Sequence, residues 1–545
     1  MKYSFLVMYR LSRVLAIAFK RQTDPLVAGS QRNLYMKSIY LILCIGIFGN
    51  VVTGCKKLDP IIYNEYSPSN FPKTEADVQA MVLSCYQPLN SWNTLGVQFW
   101  LENMTNTVIG AYGLQLACRR MDYDVNTQDL SKYYYNSSQI SRATLVIDAI
   151  ENSDLSEEVK KRYIAEVRCA RAFLMYLLYD IYGGLVIAPV DILKNPLKDT
   201  PLPRATNQET AEFIESDLLA AIDGLPYPNA TVYGRLNKGV ANMLLIRLYL
   251  KETMQYQFGL DGSVSSITKR PEYYTKVEAL CRELMKGEYG YALAANYTDL
   301  FTVGKQNATR TEMIFAIPSS ITGPNTHYWQ LQIMPTNLVS SRGGNLAGWQ
   351  TLSGYWAFYD SFEPSDTRKT YMLEEYLNTD GQMQNRANPG EPLKFGPVPL
   401  KYFVDPDINK QSLMSLADRV FFRYADVYLS LAEALVYKPG GQVNQEVVDL
   451  LNVIRRRANL GEISLSDIPT YERFQEIILL ERAHELWCEN GQYRADLIRF
   501  DKLLDVILEI NGGQAPRAKK YKYLWPIPHD VIVDGKGKVN QNPGY

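Results

Sequence analysis

A mostly α-helical scaffold of paired helices, tetratricopeptide-like in style, with a loop-rich ligand-binding face, is what this sequence predicts, and three observations carry the prediction. Apolar residues recur in steps of three and four over long stretches, which keeps one face of each segment dry. Helix-start and helix-stop chemistry stands at the ends of those stretches. Two such segments, 423–437 and 444–459, are separated by little more than Lys438-Pro439-Gly440-Gly441, the signature of an antiparallel helical hairpin. No self-similar period of about 34 residues runs through the chain, so the pairs do not form a regular repeat array. The 545 residues contain no long Gly/Ser- or Pro-rich linker, which points to one large body or two interlocked lobes.

Taken in order, the first element is an address. From Met36 the chain reads Met-Lys-Ser-Ile-Tyr, then an apolar run over 39–48, then Val52-Thr53-Gly54-Cys55. A basic start followed by roughly 7 to 15 apolar residues is the layout of a secretory signal, here 36–54, and the run is too short to span a bilayer comfortably. The Val-Thr-Gly-Cys ending resembles the bacterial lipobox, which makes Cys55 the expected lipid attachment site and the new N-terminus. Acyl chains contributing about 0.8 kcal/mol per buried methylene would hold the protein at a membrane. Residues 1–35, basic and with their own apolar patch, read as an upstream mis-start or an extended signal region.

Helices follow. Over 157–181 the apolar residues Val159, Tyr163, Val167, Ala170, Leu174, Leu177 and Ile181 share one face, and Gly183-Gly184 stops the helix. Thr206 with Glu209 three residues on forms a capping-box signature for the helix carrying Ile214, Leu218 and Ile222, which Asp223-Gly224 ends. Residues 238–251 are apolar nearly all round and should lie deep in the body. After the hairpin at 423–459, a further helix is expected over 471–490.

Between these helices lie the candidate binding segments. Residues 319–359 are rich in Gly, Asn, Thr and aromatics, and helical periodicity is lost there until Trp356, which is expected to begin a helix containing Phe362. Asn90-Ser91-Trp92-Asn93-Thr94-Leu95-Gly96 is a second aromatic loop. Sugars present apolar C–H faces that stack on aromatic rings, and hydroxyls that need amides and guanidinium groups nearby. Trp92, Tyr328, Trp329 and Trp349 are the candidate platforms, and Asn93, Arg342 and Asn345, with Asn325, the candidate hydrogen-bonding partners. Trp100, Trp487 and Trp525 stand in scaffold segments and are expected in the core. The 39 tyrosines fit a binding protein, since Tyr couples a flat apolar face to a hydroxyl, and fit helix packing equally well.

Charge and motif content exclude several function classes. Removal of residues 1–54 leaves 50 basic against 57 acidic side chains, a formal charge of about −7 that argues against a nucleic-acid partner. None of the seven cysteines forms a Cys-x-x-Cys pair, and the five beyond Cys55 are read as buried free thiols. His484-Glu485 lacks the second histidine of a His-Glu-x-x-His zinc site, and neither a Gly-x-Ser-x-Gly elbow nor a phosphate loop is present. Asp405-Pro406-Asp407-Ile408-Asn409 imitates the opening of a calcium loop, but Lys410 replaces its glycine and Leu416 its closing glutamate, so no metal is expected. Glu481, Arg482, Glu485, Arg494, Asp496 and Arg499 could be taken for a pair of glycosidase carboxylates. Their interleaving with arginines reads instead as ion pairs locking the last helix to the body.

Several of these pieces follow a known order. Cys55-Lys56-Lys57-Leu58-Asp59, the block 166–184 with Arg168, Arg171, Ala172 and Tyr182-Gly183-Gly184, and the segment from Gly234-Arg235 to Tyr249 come first. Arg423-Tyr424-Ala425-Asp426 with Ala432-Glu433-Ala434, the stretch 452–457, Glu481-Arg482, Glu485, Gly491, Asp496-Leu497 and Arg499 come next. Pro526-Ile527-Pro528 and Asn540-Gln541-Asn542-Pro543-Gly544-Tyr545 close the series. In this order and spacing the chain resembles the SusD/RagB family along most of its length after the signal. It departs at Cys488-Glu489-Asn490-Gly491, where the family usually has an acid directly before the glycine, and at Gln492-Tyr493, in a segment that is structural in the family. The resemblance implies a SusD-like N-terminal region over 55–235 and a RagB/SusD C-terminal region over 236–545, packed as one body. It also implies an outer-membrane surface lipoprotein that presents an oligosaccharide, polysaccharide or other nutrient to a SusC-like TonB-dependent transporter, with no catalytic residue, metal or cofactor. A helical glycoside hydrolase and a protein-binding helical-repeat scaffold are the competing readings.

Overall fold

The helical periodicity is realised as a succession of helices, most of them packed on the next. The computed structural model describes residues 71–545, apart from 92–95, 98–99, 111–112, 196, 199, 321–331, 340–347 and 403–415. Helices α1 (Glu75–Ser84), α2 (Ser138–Glu151), α3 (Glu157–Tyr182), α4 (Asn207–Ile222), α5 (Lys238–Glu252), α6 (Glu272–Leu284), α7 (Tyr424–Tyr437), α8 (Gln445–Arg457), α9 (Tyr471–Leu486), α10 (Gln492–Arg499) and α11 (Leu503–Ile510) form the body. From α2 to α8 every helix packs against its successor, the helical-pair scaffold expected from the sequence. Helix α5 touches α3, α4 and α6 together and is buried on every side, which explains why it carries no polar stripe.

The caps that the sequence announces are formed. Thr206 and Glu209 make the reciprocal capping box of α4, and the Asn444 side chain accepts the Val447 N–H at 3.1 Å to open α8, each worth about 1 kcal/mol. Gly183, at φ +74, ends α3, and a Cβ on Gly184 would stand 1.9 Å from the Ala205 carbonyl oxygen, so that approach needs glycine. The C-terminal segment closes over the same corner. Asn542 Nδ2 donates to the carbonyls of Tyr182 at 2.9 Å and Trp525 at 2.8 Å, and Arg204 bonds both the Tyr182 carbonyl and Asn542 Oδ1. Three motifs far apart in sequence thus meet at one place.

Strand content is what the periodicity concealed. Strand β1 (Val108–Gly110) pairs antiparallel with β5 (Leu352–Gly354), β2 (Met254–Phe258) with β3 (Val264–Lys269), and β4 (Met313–Ile317) with β6 (Arg419–Arg423). The β4–β6 pair is fully buried, with Phe173 of α3 packed on Phe315, Phe421 and Phe422 at ring separations of 5.5, 5.3 and 5.4 Å. Two helix ends differ from expectation. Helix α9 stops at Leu486, because Cys488, Asn490 and Gly491 all take positive φ and turn the chain so that Glu489 points into the core. The helix begun by Trp356 stops at Asp360, and Phe362 lies beyond it, stacked on His484 at 3.8 Å. Trp487 and Trp525 are wholly buried and Trp100 packs against the core. Cys85, Cys118, Cys169, Cys281 and Cys488 are free and buried, as the odd count suggested.

Candidate functional site

Two regions compete for the functional assignment, and the charged one resolves first. Arg423, the last residue of β6, is fully buried and donates to Glu312 Oε1 at 2.9 Å, Glu485 Oε1 at 2.6 Å and both oxygens of Glu489 at 2.7 and 2.9 Å. Arg457 reaches Glu312 and Glu485, and Arg368 reaches Asp366, Glu481 and Glu485. Arg482 bridges Asp426 at 2.9 Å and Asp496 at 2.7 Å, and Arg499 grips Glu433 at 2.6 Å. Burial alone would raise the Glu485 carboxyl, but Arg457, Arg423 and Arg368 outweigh it and hold the group well below the ordinary carboxylate range. Lys401, also buried, sits 2.6 Å from Glu489, and its burial lowers the amine to about 8.

A glycosidase needs two carboxylates that a glycosidic bond can reach. These are closed off and each is already engaged by a cation, so the cluster is a lock between β6, α7, α8, α9 and α10. It reaches beyond the six residues named from the sequence to Arg368, Arg423, Arg457, Glu312, Lys401 and Glu489. His484 is part of the same interior: burial holds it well below its ordinary value, and its Nε2 lies 2.8 Å from Ser361 Oγ. Among the described residues no group of three His, Cys, Asp or Glu is placed to hold a metal ion.

The aromatic region is different. Cys55, Trp92, Asn93, Asn325, Tyr328, Trp329, Arg342 and Asn345, and the calcium-loop imitation at 405–409, lie outside the described residues. Trp349 is described and half exposed, at 54%. The backbone on either side of it is tied down: Gly348 N–H donates to the Pro335 carbonyl at 3.3 Å, Gln350 N–H to Met334 at 3.1 Å and Thr351 N–H to Gln332 at 2.7 Å. A Cβ on Gly348 would fall 2.0 Å from the Met334 carbonyl oxygen, and Gln350 takes φ +49. A glycine and a left-handed residue therefore flank an indole that has little packing of its own.

The stems of the candidate loops are joined to one another. Thr351 Oγ1 donates to Gln332 Oε1 at 2.6 Å, linking the stem after 321–331 to the stem after 340–347. Strand β5 then pairs with β1, which continues the segment that follows Trp92 and Asn93. Sequence reasoning missed the neighbouring surface. Arg386 lies over the Trp356 ring at 4.7 Å and forms a fork to Asp360 at 2.9 Å through both nitrogens. Leu377 and Met383 face each other across a short hairpin and are exposed, with buried Tyr376 and Gln384 on its other face. The alternation Tyr-Leu-Asn over 376–378 is the only signal that could have disclosed that hairpin.

Comparison with known proteins bears on the fold that carries this geometry. The model of the SusD family matches residues 374–545. A second model, described as "Starch-binding associating with outer membrane", matches residues 58–250. A SusD-like protein of Bacteroides ovatus is 24% identical over 348 residues, spanning 61% of this chain and 60% of that protein, so the match covers less than two thirds of that relative. SusD-like protein P2 of Formosa agariphila is 22% identical over 527 residues, spanning 91% of this chain and 97% of that protein. Among solved structures, surface glycan-binding protein A from Bacteroides thetaiotaomicron in complex with laminarihexaose superposes with a TM-score of 0.66 at 20% identity, over 86% of this chain and 99% of that one.

Proposed function

The chain belongs to the SusD/RagB family, and we propose that it is a surface-exposed outer-membrane lipoprotein that captures a glycan and delivers it to a SusC-like TonB-dependent transporter. It is a binding protein, with no catalytic step. The observation that carries this reading is the contrast just described: the carboxylates that could cleave a glycan are sealed into ion pairs, while Trp349 stands half exposed on backbone whose hydrogen bonds tie together the stems of the aromatic loops. A ring presented this way offers a sugar an apolar face at little conformational cost. The similar fold that holds laminarihexaose supports the same class of ligand. Trp92, Asn93, Tyr328, Trp329, Arg342, Asn345 and Trp349 are the residues proposed to meet it.

Attachment through acylated Cys55 places the body at the membrane, so Cys55→Ser should release the protein into the soluble fraction; retention in the outer membrane at high salt would refute the anchor. The function itself is tested by incubating the detergent-solubilised chain with a panel of polysaccharides while following both binding and reducing ends. Binding without new reducing ends is the expected result. Cleavage would establish a hydrolase, and neither binding nor cleavage a protein-binding scaffold. Purification from gently solubilised membranes should bring down a large β-barrel transporter, and repeated recovery of the protein alone would count against that partnership.

A further inference from the structure

A second pocket, of about 280 Å³, opens between the loop 228–237, the turn 289–291 and the segment 307–316, and Trp349, the aromatic-loop candidate among the described residues, does not line it. Its size, near the lower end for small-molecule sites, suits one sugar residue. Among the described residues the lining contains two arginines, three tyrosines, three asparagines and no acidic side chain. That composition is unusual in a chain whose processed form carries more acid than base. The larger cleft beside α10 is lined by Asp180 and Glu252 as well as by cations, and its Lys251 and Arg499 are already paired with Asp180 and Glu433.

The two arginines differ. Arg235 is neutralised by Glu166 at 2.7 Å. Arg310 has no carboxylate and no hydrogen-bond acceptor for its guanidinium among the described residues, and that group lies 4.8 Å from the centre of the Tyr233 ring. Tyr233 is itself fixed, its hydroxyl donating to Asp418 at 3.0 Å while Asp418 also accepts the Ser319 N–H at 3.0 Å. The cation is therefore held on a rigid platform with its donors unspent. On the opposite side Tyr289 and Tyr291 stack at 6.1 Å. The Tyr291 hydroxyl is buried without a hydrogen-bond partner among the described residues. It sits where a Cβ on Gly239 would come within 1.9 Å, beside the start of α5, whose Gly239 and Val240 N–H groups are already taken by Asn237 Oδ1. The Tyr291 hydroxyl thus points away from the pocket, but an unpaired guanidinium beside tyrosine rings, in a pocket with no acid among its described lining, calls for a ligand with a C–H face and a negative charge.

We propose that this pocket is a second saccharide site selective for a pyranose bearing an anionic substituent, a carboxylate or a sulfate ester, with Arg310 pairing the anion and the tyrosine rings covering the sugar face. It rests on the glycan-binding reading above. The test is calorimetric titration of the detergent-solubilised full chain and its Arg310→Gln variant with three probes: an oligogalacturonate, a carrageenan oligosaccharide and a neutral laminari-oligosaccharide. Arg310 is solvent-facing, so melting temperatures should match and the comparison is one of binding alone. Arg310→Gln is expected to weaken at least one of the two acidic probes about tenfold or more, and to leave the neutral probe unchanged. The acidic probe that loses affinity identifies carboxylate or sulfate as the partner, and its wild-type binding should fall with added salt. Equal affinity of the two proteins for both acidic probes, or no binding of either acidic probe beside binding of the neutral one, overturns the site and leaves the general function standing. Failure of all three probes to bind removes the glycan reading and the second site together. A Trp349→Ala control should retain the Arg310-dependent binding; its loss there would show a single site and refute a second one.

Discussion

Arg423 and Trp349 are equally conspicuous in the sequence, yet the first is fully enclosed and bonded at every nitrogen while the second stands 54% exposed. Around Arg423 each charge is matched by an opposite one at hydrogen-bonding distance, so that region spends its chemistry on itself. Around Trp349 the backbone is fixed and the side chain is left unspent. The difference teaches where to look for function in a chain rich in both kinds of residue. A dense charge pattern interleaved in sign marks a structural lock, and an isolated aromatic beside a glycine and a left-handed residue marks a presented surface.

Breaking the lock should give the largest effect. Glu485→Ala leaves Arg368, Arg423 and Arg457 without a carboxylate that all three share, deep inside the protein. Removing one partner of a buried ion network typically costs about 3–5 kcal/mol, because the remaining charges cannot return to water. Urea denaturation should show that loss, and glycan affinity of the folded fraction should stay unchanged. Lost affinity in a fully stable variant would revive a catalytic or ligand role for the cluster.

The two regions touch through Glu102, which sharpens the comparison. This buried carboxylate accepts the Gly491 N–H at 3.0 Å from the turn after α9, and lies in the segment that leads from the Trp92 loop to β1. Burial raises it from an ordinary 4.5 to about 7, against the pull of the Gly491 and Cys488 N–H groups and Lys401. Because the folded-state value lies above the unfolded one, its contribution to stability is complete below about 4.5 and is lost as pH rises through about 7. At about 1.4 kcal/mol per unit, the wild type should shed up to about 3 kcal/mol across that window on this account. Glu102→Gln should flatten that part of the stability profile. Parallel profiles for the two proteins would show that Glu102 does not titrate there.

The scaffold was legible because helix periodicity and capping are local: Thr206 with Glu209, the stop at Gly183-Gly184 and the all-apolar α5 each announce themselves within a few residues. Strands β4 and β6 were not, since each is only five residues long and buried on both faces, a pattern that lacks alternation and depends on a partner about a hundred residues away. The end of α9 was missed because Cys488 and Asn490 adopt left-handed backbone to insert Glu489 between Arg423 and Lys401, a tertiary demand with no local sign. The lock was recognised as ion pairs, but only from its residues clustered in sequence. Glu312 and Arg368 join it from more than a hundred residues upstream of Glu485. The acid-free pocket was invisible for the same reason, since Arg310, Tyr233 and Tyr291 carry no common motif.

The smallest expected effect tests the exposed side of the comparison. The indole of Trp349 has half its surface in water, so Trp349→Ala removes little core packing and should change unfolding stability by no more than about 0.5 kcal/mol. Covering a pyranose face with the same ring is worth about 1–2 kcal/mol after desolvation, which corresponds to a fivefold to thirtyfold loss of glycan affinity. Trp92→Ala and Trp329→Ala are expected to behave likewise. Calorimetric titration with the cognate glycan decides the matter. The neighbouring Gly348 supplies an internal control, because a side chain there must displace the Met334 carbonyl that a Cβ would approach to 2.0 Å. Gly348→Ala should therefore shift the Trp349 platform and lower affinity with Trp349 itself intact. If affinity stays undiminished in all three tryptophan variants, the aromatic loops are not the binding face and the contrast between lock and platform loses its functional half.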